Sequence, residues 1–355
     1  MLVFLFHCHL AFFGSNNTIK SSTLWASFDL KKAFILFSPT ALGWTGVPLF
    51  FIISGFLIHL GFLRNKVAFS ASVFFSKRFW RIYPTYWLTL LLFIAIGIYI
   101  HAANAMPGFK DLFLHVLTIY NFNDNYIYTI NPSYWSLAAE VQLYLLYPVF
   151  LLIRRKLGIK YCFFVVLAIS IGTLLLGQIF HNFGTTVVYS KLPLQFWFIW
   201  AAGAYYAECY FSHGKPLIKK WNFAWVLLSY CVLTLFTCFS FTNYFAFYPA
   251  TITWLLVFDW IISSDVINIE SAPSKLLVLT GLSSYSFYLI HQPYLYQMLG
   301  WFGGWTTSPY RFMSIVPVFM FLLLVSYFMY RLVEFPSMRI GNFLRKRSKQ
   351  NKKKG

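Results

Sequence analysis

Of the ionisable side chains inside apolar runs of this chain, His7, Glu140 and His291 fall at similar depth, so that they could meet in one cavity. A charged group is costly in hydrocarbon, so one that sits there is a functional candidate by default. An imidazole near a carboxylate in a low-dielectric, partly wet cavity is the arrangement general-base catalysis needs, because the carboxylate orients the ring and stabilises the imidazolium that forms. Position alone leaves a second account of His7, a histidine bonded to a neighbouring helix as structural glue. His9 projects from another face and reads as structural; His59 lies in the inner half of its helix, where it could contact ligand or a lipid headgroup, with the structural account favoured. Arg78 and Arg81 lie one helical turn apart, a spacing that lets two guanidiniums clamp phosphate oxygens. Anchoring to the cytoplasmic face is the plainer account of the same pair.

Glu140 sits in Asn131-Pro132-Ser133-Tyr134-Trp135-Ser136-Leu137-Ala138-Ala139-Glu140-Val141-Gln142-Leu143-Tyr144. Ser133 or Ser136 is expected to cap the helix that starts here, and an acid in a first turn would complement the helix dipole. Ser136 and Tyr144 share a face with Glu140. Gly46 to Ile58 embeds Ser54 and Gly55 in a membrane-grade apolar run, a small-residue notch in a helix. No Walker loop, Rossmann glycine fingerprint or His-Glu-x-x-His zinc motif is present, so neither a metal nor a bound cofactor is expected.

The elements that must position these groups follow from composition. The chain is 59% hydrophobic and only 10% charged, with mean hydropathy +0.65, which excludes an ordinary soluble domain. Runs long enough to cross a bilayer occur at about 44–63, 82–100, 138–153, 161–180, 192–211, 222–240, 244–263, 276–299 and 313–333, each near the roughly 20 residues a span needs. With the opening run at 1–13 this predicts an all-α, polytopic transmembrane helical bundle of about ten helices. Residues 1–13 cover only about 20 Å at the helical rise, so the first helix is short by nearly half a span.

Alternate loops divide the basic residues unequally. One set, from Arg64 and Lys66 through Arg154–Lys160 to the run Arg339–Lys354, holds 22 of the 28 Lys and Arg; the other set holds Lys20, Lys31, Lys32, Lys110, Lys191 and Arg311. The positive-inside rule makes the first set and both termini cytoplasmic. The formal charge of +19 therefore reads as membrane orientation and attraction to anionic lipid, with no nucleic-acid partner. The chain divides into a transmembrane domain, 1–338, and a basic cytoplasmic tail, 339–355. The five cysteines are scattered singly through apolar stretches and read as packing. The loop 101–137 is predicted outside. Its Tyr120, Asn121, Asn123, Asn125, Tyr126, Tyr128 and Asn131 suit either stacking on sugar rings or an interfacial aromatic belt.

Six blocks in order give the chain a resemblance. They are Val3–His7, Gly46–Ile58, Arg78-Phe79-Trp80-Arg81-Ile82-Tyr83-Pro84, Trp135–Glu140 with Tyr144 and Pro148, Gly281–Pro293, and Tyr330-Arg331-Leu332-Val333-Glu334-Phe335-Pro336. Together these resemble acyltransferase family 3, integral-membrane acyl-CoA-dependent enzymes that modify bacterial surface sugars. The resemblance implies transfer of an acyl group, acetyl by preference, from cytoplasmic acyl-CoA to a glycan hydroxyl such as one of an O-antigen, capsule or exopolysaccharide, in a bacterial inner membrane. It also implies His7 as catalytic base with Glu140 orienting it. Arg78 and Arg81 would hold acyl-CoA phosphates, and the pantetheine arm would pass Ser54 and Gly55. Trp135, Ser136, Tyr144 and His291 would support the site, and Glu334 would pair with Arg81. The family's arginine eleven residues before the histidine would fall ahead of Met1, and Pro48 stands where many members carry Asp. Direct deprotonation of the sugar hydroxyl and a covalent acyl-histidine both remain open. The competing class is a transporter or flippase with His and Glu as a proton relay, although no inverted repeat is apparent.

Overall fold

The computed structural model describes residues 1–13, 38–65, 68–100, 106–182, 191–213, 223–238, 244–263, 272–303 and 309–351. Among them every regular element is helical. Four helical stretches are long and apolar enough to cross a membrane, Gly43–Arg64, Ala71–Tyr99, Pro132–Ile179 and Phe312–Arg347, and shorter apolar helices join them at Leu2–Phe12, Phe223–Thr237 and Phe247–Ile262. Large apolar side chains such as Leu91, Leu176, Leu227 and Leu324 point outward, as they must where lipid is the solvent.

The chain forms two compact units: Met1–Lys66 with Val149–Gly184 and Pro193–Asn268, and Val67–Pro148 with Thr185–Leu192 and Ile269–Gly355. In the first unit, α1 (Leu2–Phe13) lies against a 3-10 turn, Gly43–Thr45, that leads into α2 (Gly46–Arg64). A Cβ on Gly43 would stand 2.4 Å from the Leu2 carbonyl oxygen, and one on Gly46 would stand 2.9 Å from Val3. Glycine at both positions is therefore what lets α1 seat on that turn.

The tightest packing in this unit joins α2 to α6 (Pro193–His213). A Cβ on Gly55 would fall 2.0 Å from the Trp200 carbonyl oxygen, and one on Gly203 would fall 2.1 Å from the Ile52 carbonyl oxygen. Two reciprocal glycines thus bring the helix backbones into contact, the small-residue packing that membrane helices use in place of a hydrophobic driving force. The notch read at Gly55 as a path for a donor arm is filled by α6. Below the crossing, Phe56, Leu60, Tyr206 and Ala207 form a core cluster. α7 (Phe223–Cys238) and α8 (Phe247–Ser263) meet at Leu233 and Ala250, with Leu42. Cys8, Cys162, Cys209 and Cys231 are free thiols, the first two of them buried.

The second unit contains α3 (Ala71–Tyr99), the short amphipathic α4 (Phe109–Val116), and the start of α5 (Trp135–Asn182). α3 begins eleven residues before the apolar run, so Lys77, Arg78 and Arg81 belong to its first turns. α5 bends at Gly158, whose φ of 80° is open to glycine and strained for other residues. The basic residues Arg154, Arg155, Lys156 and Lys160 flank that bend.

The single span expected over 276–299 is broken into α9 (Ala272–Leu282), α10 (Ser284–Ile290) and α11 (Leu295–Gly303). Pro293 cannot continue α10, and Tyr294 adopts a positive φ of 59°. A carbonyl released by the break is recovered, because Asn131 Nδ2 donates to Leu289 O at 2.9 Å. After α12 (Ile315–Met329), a π-helical turn at Tyr330–Glu334 passes directly into α13 (Phe335–Asn351), so the basic tail continues as helix. α13 packs on α3 through Gly341, where a Cβ would meet the Trp80 side chain at 2.5 Å, and through Ser337, whose hydroxyl donates to Trp80 O at 2.7 Å.

Candidate active site

In the second unit several residues singled out from sequence take part in polar contacts on and around the start of α5. A 3-10 turn, Pro132–Tyr134, precedes α5, and its cap is Asn131, whose side chain accepts from Ser133 N at 2.9 Å. The capping role expected of Ser133 or Ser136 belongs to Asn131, because an Asx side chain reaches the amide two residues on more readily than a serine hydroxyl. Ser133 and Ser136 turn elsewhere: Ser133 Oγ donates to Gln292, and Ser136 Oγ shares a hydrogen bond with the Tyr288 hydroxyl.

Ser136, Glu140 and Tyr144 follow one another at four-residue intervals along one stripe of α5. Glu140 is buried, lies beyond the first turn of the helix, and accepts the Tyr144 hydroxyl. A dipole-complementing role therefore does not account for it. The Arg78 guanidinium carbon lies 5.3 Å from the Tyr144 ring centroid and 5.7 Å from that of Phe74, so a cation is laid over the ring whose hydroxyl contacts the acid. Arg78 Nε is buried without a hydrogen-bond partner among the described residues. A buried guanidinium N–H of this kind is an open donor for an anionic or carbonyl oxygen.

The supporting residues lie around this stripe. His291 is buried at the end of α10, and its Nδ1 donates to Tyr288 O at 2.7 Å. The Trp135 ring carries Lys191 Nζ 4.1 Å from its centroid. Burial pushes the Lys191 amine down to about 8. Glu334 is buried and accepts from Ser286 at 2.8 Å. Of the pairing expected from sequence, no direct Arg81–Glu334 ion pair forms among the described residues: Arg81 is exposed and acts on the Glu334 carboxylate only through space.

The aromatic and amide-rich loop is divided in use. Tyr120, Asn121 and Asn131 are fully buried: Asn121 exchanges two amide hydrogen bonds with Gln142, and the Tyr120 ring stacks on His115 at 4.0 Å. These residues hold the loop together. Asn125 and Tyr128 are exposed, with Asn123 and Tyr126 half-buried. Asp111 braces the same loop through His115 Nδ1 at 2.9 Å and the Thr129 hydroxyl at 3.0 Å.

In the first unit, His7 is half-buried with its ring centroid 5.5 Å from that of Phe6. His9 shares a hydrogen bond with Thr40 at 3.1 Å, in keeping with the structural role read for it. Ser54 is buried beside Gly55. The first unit also holds a cluster that sequence reasoning missed. His59 Nε2 meets Glu208 Oε1 at 2.8 Å, and Arg154 Nε donates to the same oxygen. Phe62 and Phe150 enclose the His59 ring. Asp259 is buried on α8 and accepts from Tyr206 at 2.6 Å. Glu208 and Asp259 both lie in predicted spans, so the rule that flagged Glu140 would have found them. Among the described residues no group of three or more His, Cys, Asp or Glu could hold a metal ion.

Comparison with known proteins decides what this arrangement belongs to. A family described as an acyltransferase domain, acyltransferase family 3, matches residues 1–331. The chain belongs to acyltransferase family 3. This acyltransferase is 25% identical over 256 residues, 70% of its own length and 72% of the relative's, to ORF330 of Acidianus two-tailed virus, whose name proposes an acetyltransferase. It is 29% identical over 231 residues, 57% of its length and 90% of the relative's, to an uncharacterized protein of Haemophilus influenzae. Acyltransferase MdmB of Streptomyces mycarofaciens shares 28% identity over 137 residues, 37% of this chain and 34% of MdmB. No solved structure matches the acyltransferase.

Proposed function

We propose that this acyltransferase moves an acetyl group from cytoplasmic acetyl-CoA to a hydroxyl of a cell-surface or lipid-linked polysaccharide. The reading places it in a bacterial inner membrane, in a bundle of about ten spans with both termini cytoplasmic. The observation that carries the reading is the Ser136–Glu140–Tyr144 stripe of α5 with Arg78 of α3 upon it: a cation with an open buried donor, laid on a tyrosine that contacts a buried acid. Such a stripe serves a ligand that is anionic at one end and undergoes acid–base chemistry at the other. Acetyl-CoA is a ligand of that kind. The name of the viral relative supports acetyl as the group transferred.

The reaction has simple bookkeeping. A sugar hydroxyl oxygen attacks the thioester carbonyl, its proton passes to the neutral His7 ring, the C–S bond breaks, and the coenzyme thiolate takes the proton back. Arg78 and Arg81 bind donor phosphates as a guanidinium pair one turn apart. Glu140, held by Tyr144, balances charge in the apolar interior. Trp135, Ser136, Tyr288 and His291 fix that helix start, and exposed Asn125 and Tyr128 offer a hydrogen-bonding and stacking surface to sugar.

The experiment is mass analysis of the surface glycan from cells that carry the wild-type gene, a His7→Ala variant or a deletion. The reading expects acetyl mass increments with wild type only, with the His7→Ala protein present in the membrane. Equal acetylation in the deletion strain would remove the glycan from the account, and wild-type acetylation by His7→Ala would remove the base.

A further inference from the structure

We propose that the concavity lined by Arg331, Phe335, Pro336, Arg339 and Ile340 binds the phosphate headgroup of an anionic phospholipid. Its volume is about 440 Å³, and it lies towards the C-terminal end of the helical stretch Phe312–Arg347, whose last residues are the basic Arg345, Lys346 and Arg347. That is the depth at which lipid phosphates lie against a spanning helix.

The lining carries two guanidiniums and no acid. The acid nearest in sequence, Glu334, is turned inward and bound to Ser286, so it does not neutralise Arg331. Arg331 and Arg339 are exposed, and neither makes an ion pair among the described residues. The Arg339 guanidinium carbon stands 5.6 Å from the Phe335 ring centroid. Stacking fixes the guanidinium over the ring and leaves its N–H groups for a phosphate.

Charge alone would suit any phosphate ester. The surroundings select a lipid: Leu332, Phe335, Ile340 and Phe343 are exposed apolar side chains on the same helical stretch. They would lie along glycerol and the upper acyl chains, and a soluble ester has nothing to cover them. The π-helical turn at Tyr330–Glu334 adds one residue to the helical repeat, which sets the register between Arg331 and Arg339.

The test uses the full-length protein in nanodiscs of phosphatidylcholine with phosphatidylglycerol, and native mass spectrometry counts the phosphatidylglycerol retained. Arg331→Gln with Arg339→Gln is compared with Lys346→Gln and Arg347→Gln, which removes the same charge from the tail. The expected loss of retention is about fivefold for each pocket arginine removed, with less than a twofold change for the tail pair. Equal losses from both pairs would overturn the site in favour of diffuse attraction. Displacement of the lipid by millimolar inorganic phosphate or acetyl-CoA would overturn it in favour of a soluble phosphate ester. Arg339→Gln alone, at an exposed helix position, gives the same reading should the double variant fold poorly, and retention equal to wild type would overturn the proposal.

Discussion

The residues that carry chemistry differ in what holds them. Arg78 is positioned by aromatic rings and keeps a buried Nε open, so in this account its contribution is to donor binding. Arg78→Ala is expected to raise the KM for acetyl-CoA about tenfold or more, the scale of a lost charge-assisted contact, with kcat changed far less. Initial rates at varied acetyl-CoA check this, and a fall in kcat at unchanged KM would reassign Arg78 to the chemical step. Lys191 provides a pH signature outside the membrane. Burial lowers its amine from 10.5 to about 8, so the unfolded chain binds that proton more tightly than the folded one. The resulting penalty is complete below pH 8 and lifts as pH rises from 8 towards 10.5. Thermal melts across that range should show stability rising with pH, and Lys191→Met should flatten the rise. At this scale the sequence revealed Glu140, Ser136 and Tyr144, because an acid and its helical neighbours in an apolar run are conspicuous. It did not reveal that Asn131 caps the turn, since Ser, Asn and Pro together allow several local hydrogen-bond schemes.

Elements meet where side chains shrink or charges cluster. Gly55 and Gly203 hold α2 and α6 at backbone contact, and a methyl at either position would lie about 2 Å from a carbonyl oxygen. Gly203→Ala is expected to destabilise by about 3 kcal/mol, the upper end for overpacking, because neither helix backbone can yield locally. Denaturation in detergent measures this, and a wild-type melt would show that the helices separate freely. Glu208 is the acceptor shared by His59 and Arg154. Glu208→Gln is expected to cost about 3 kcal/mol, the lower end for a broken buried pair, since Arg154 keeps partial exposure. Hydropathy found these helices because their apolar runs are long. It missed the break at His291-Gln292-Pro293, where flanking apolar residues mask one proline, and it missed the use of Gly55, whose partner backbone lies some 150 residues away in sequence.

At the scale of the whole molecule, apolar composition and the unequal distribution of Lys and Arg already indicated a chain that lives in lipid, and the outward-facing leucines fit that medium. The division into two compact units was not legible, because α5 runs from one into the other without a change of composition. Family membership and the polar stripe together make a membrane acyltransferase, and the central claim is that acyl transfer draws on acetyl-CoA and passes through His7. The most direct measurement is transfer of labelled acetyl from acetyl-CoA to glycan by membranes containing wild type, His7→Ala or Arg78→Ala. The account expects labelled glycan with wild type, a loss of about 100-fold or more in kcat for His7→Ala, the scale of a removed general base, and recovery of Arg78→Ala at high donor. Undiminished transfer by His7→Ala, or labelling that never depends on acetyl-CoA, would contradict it.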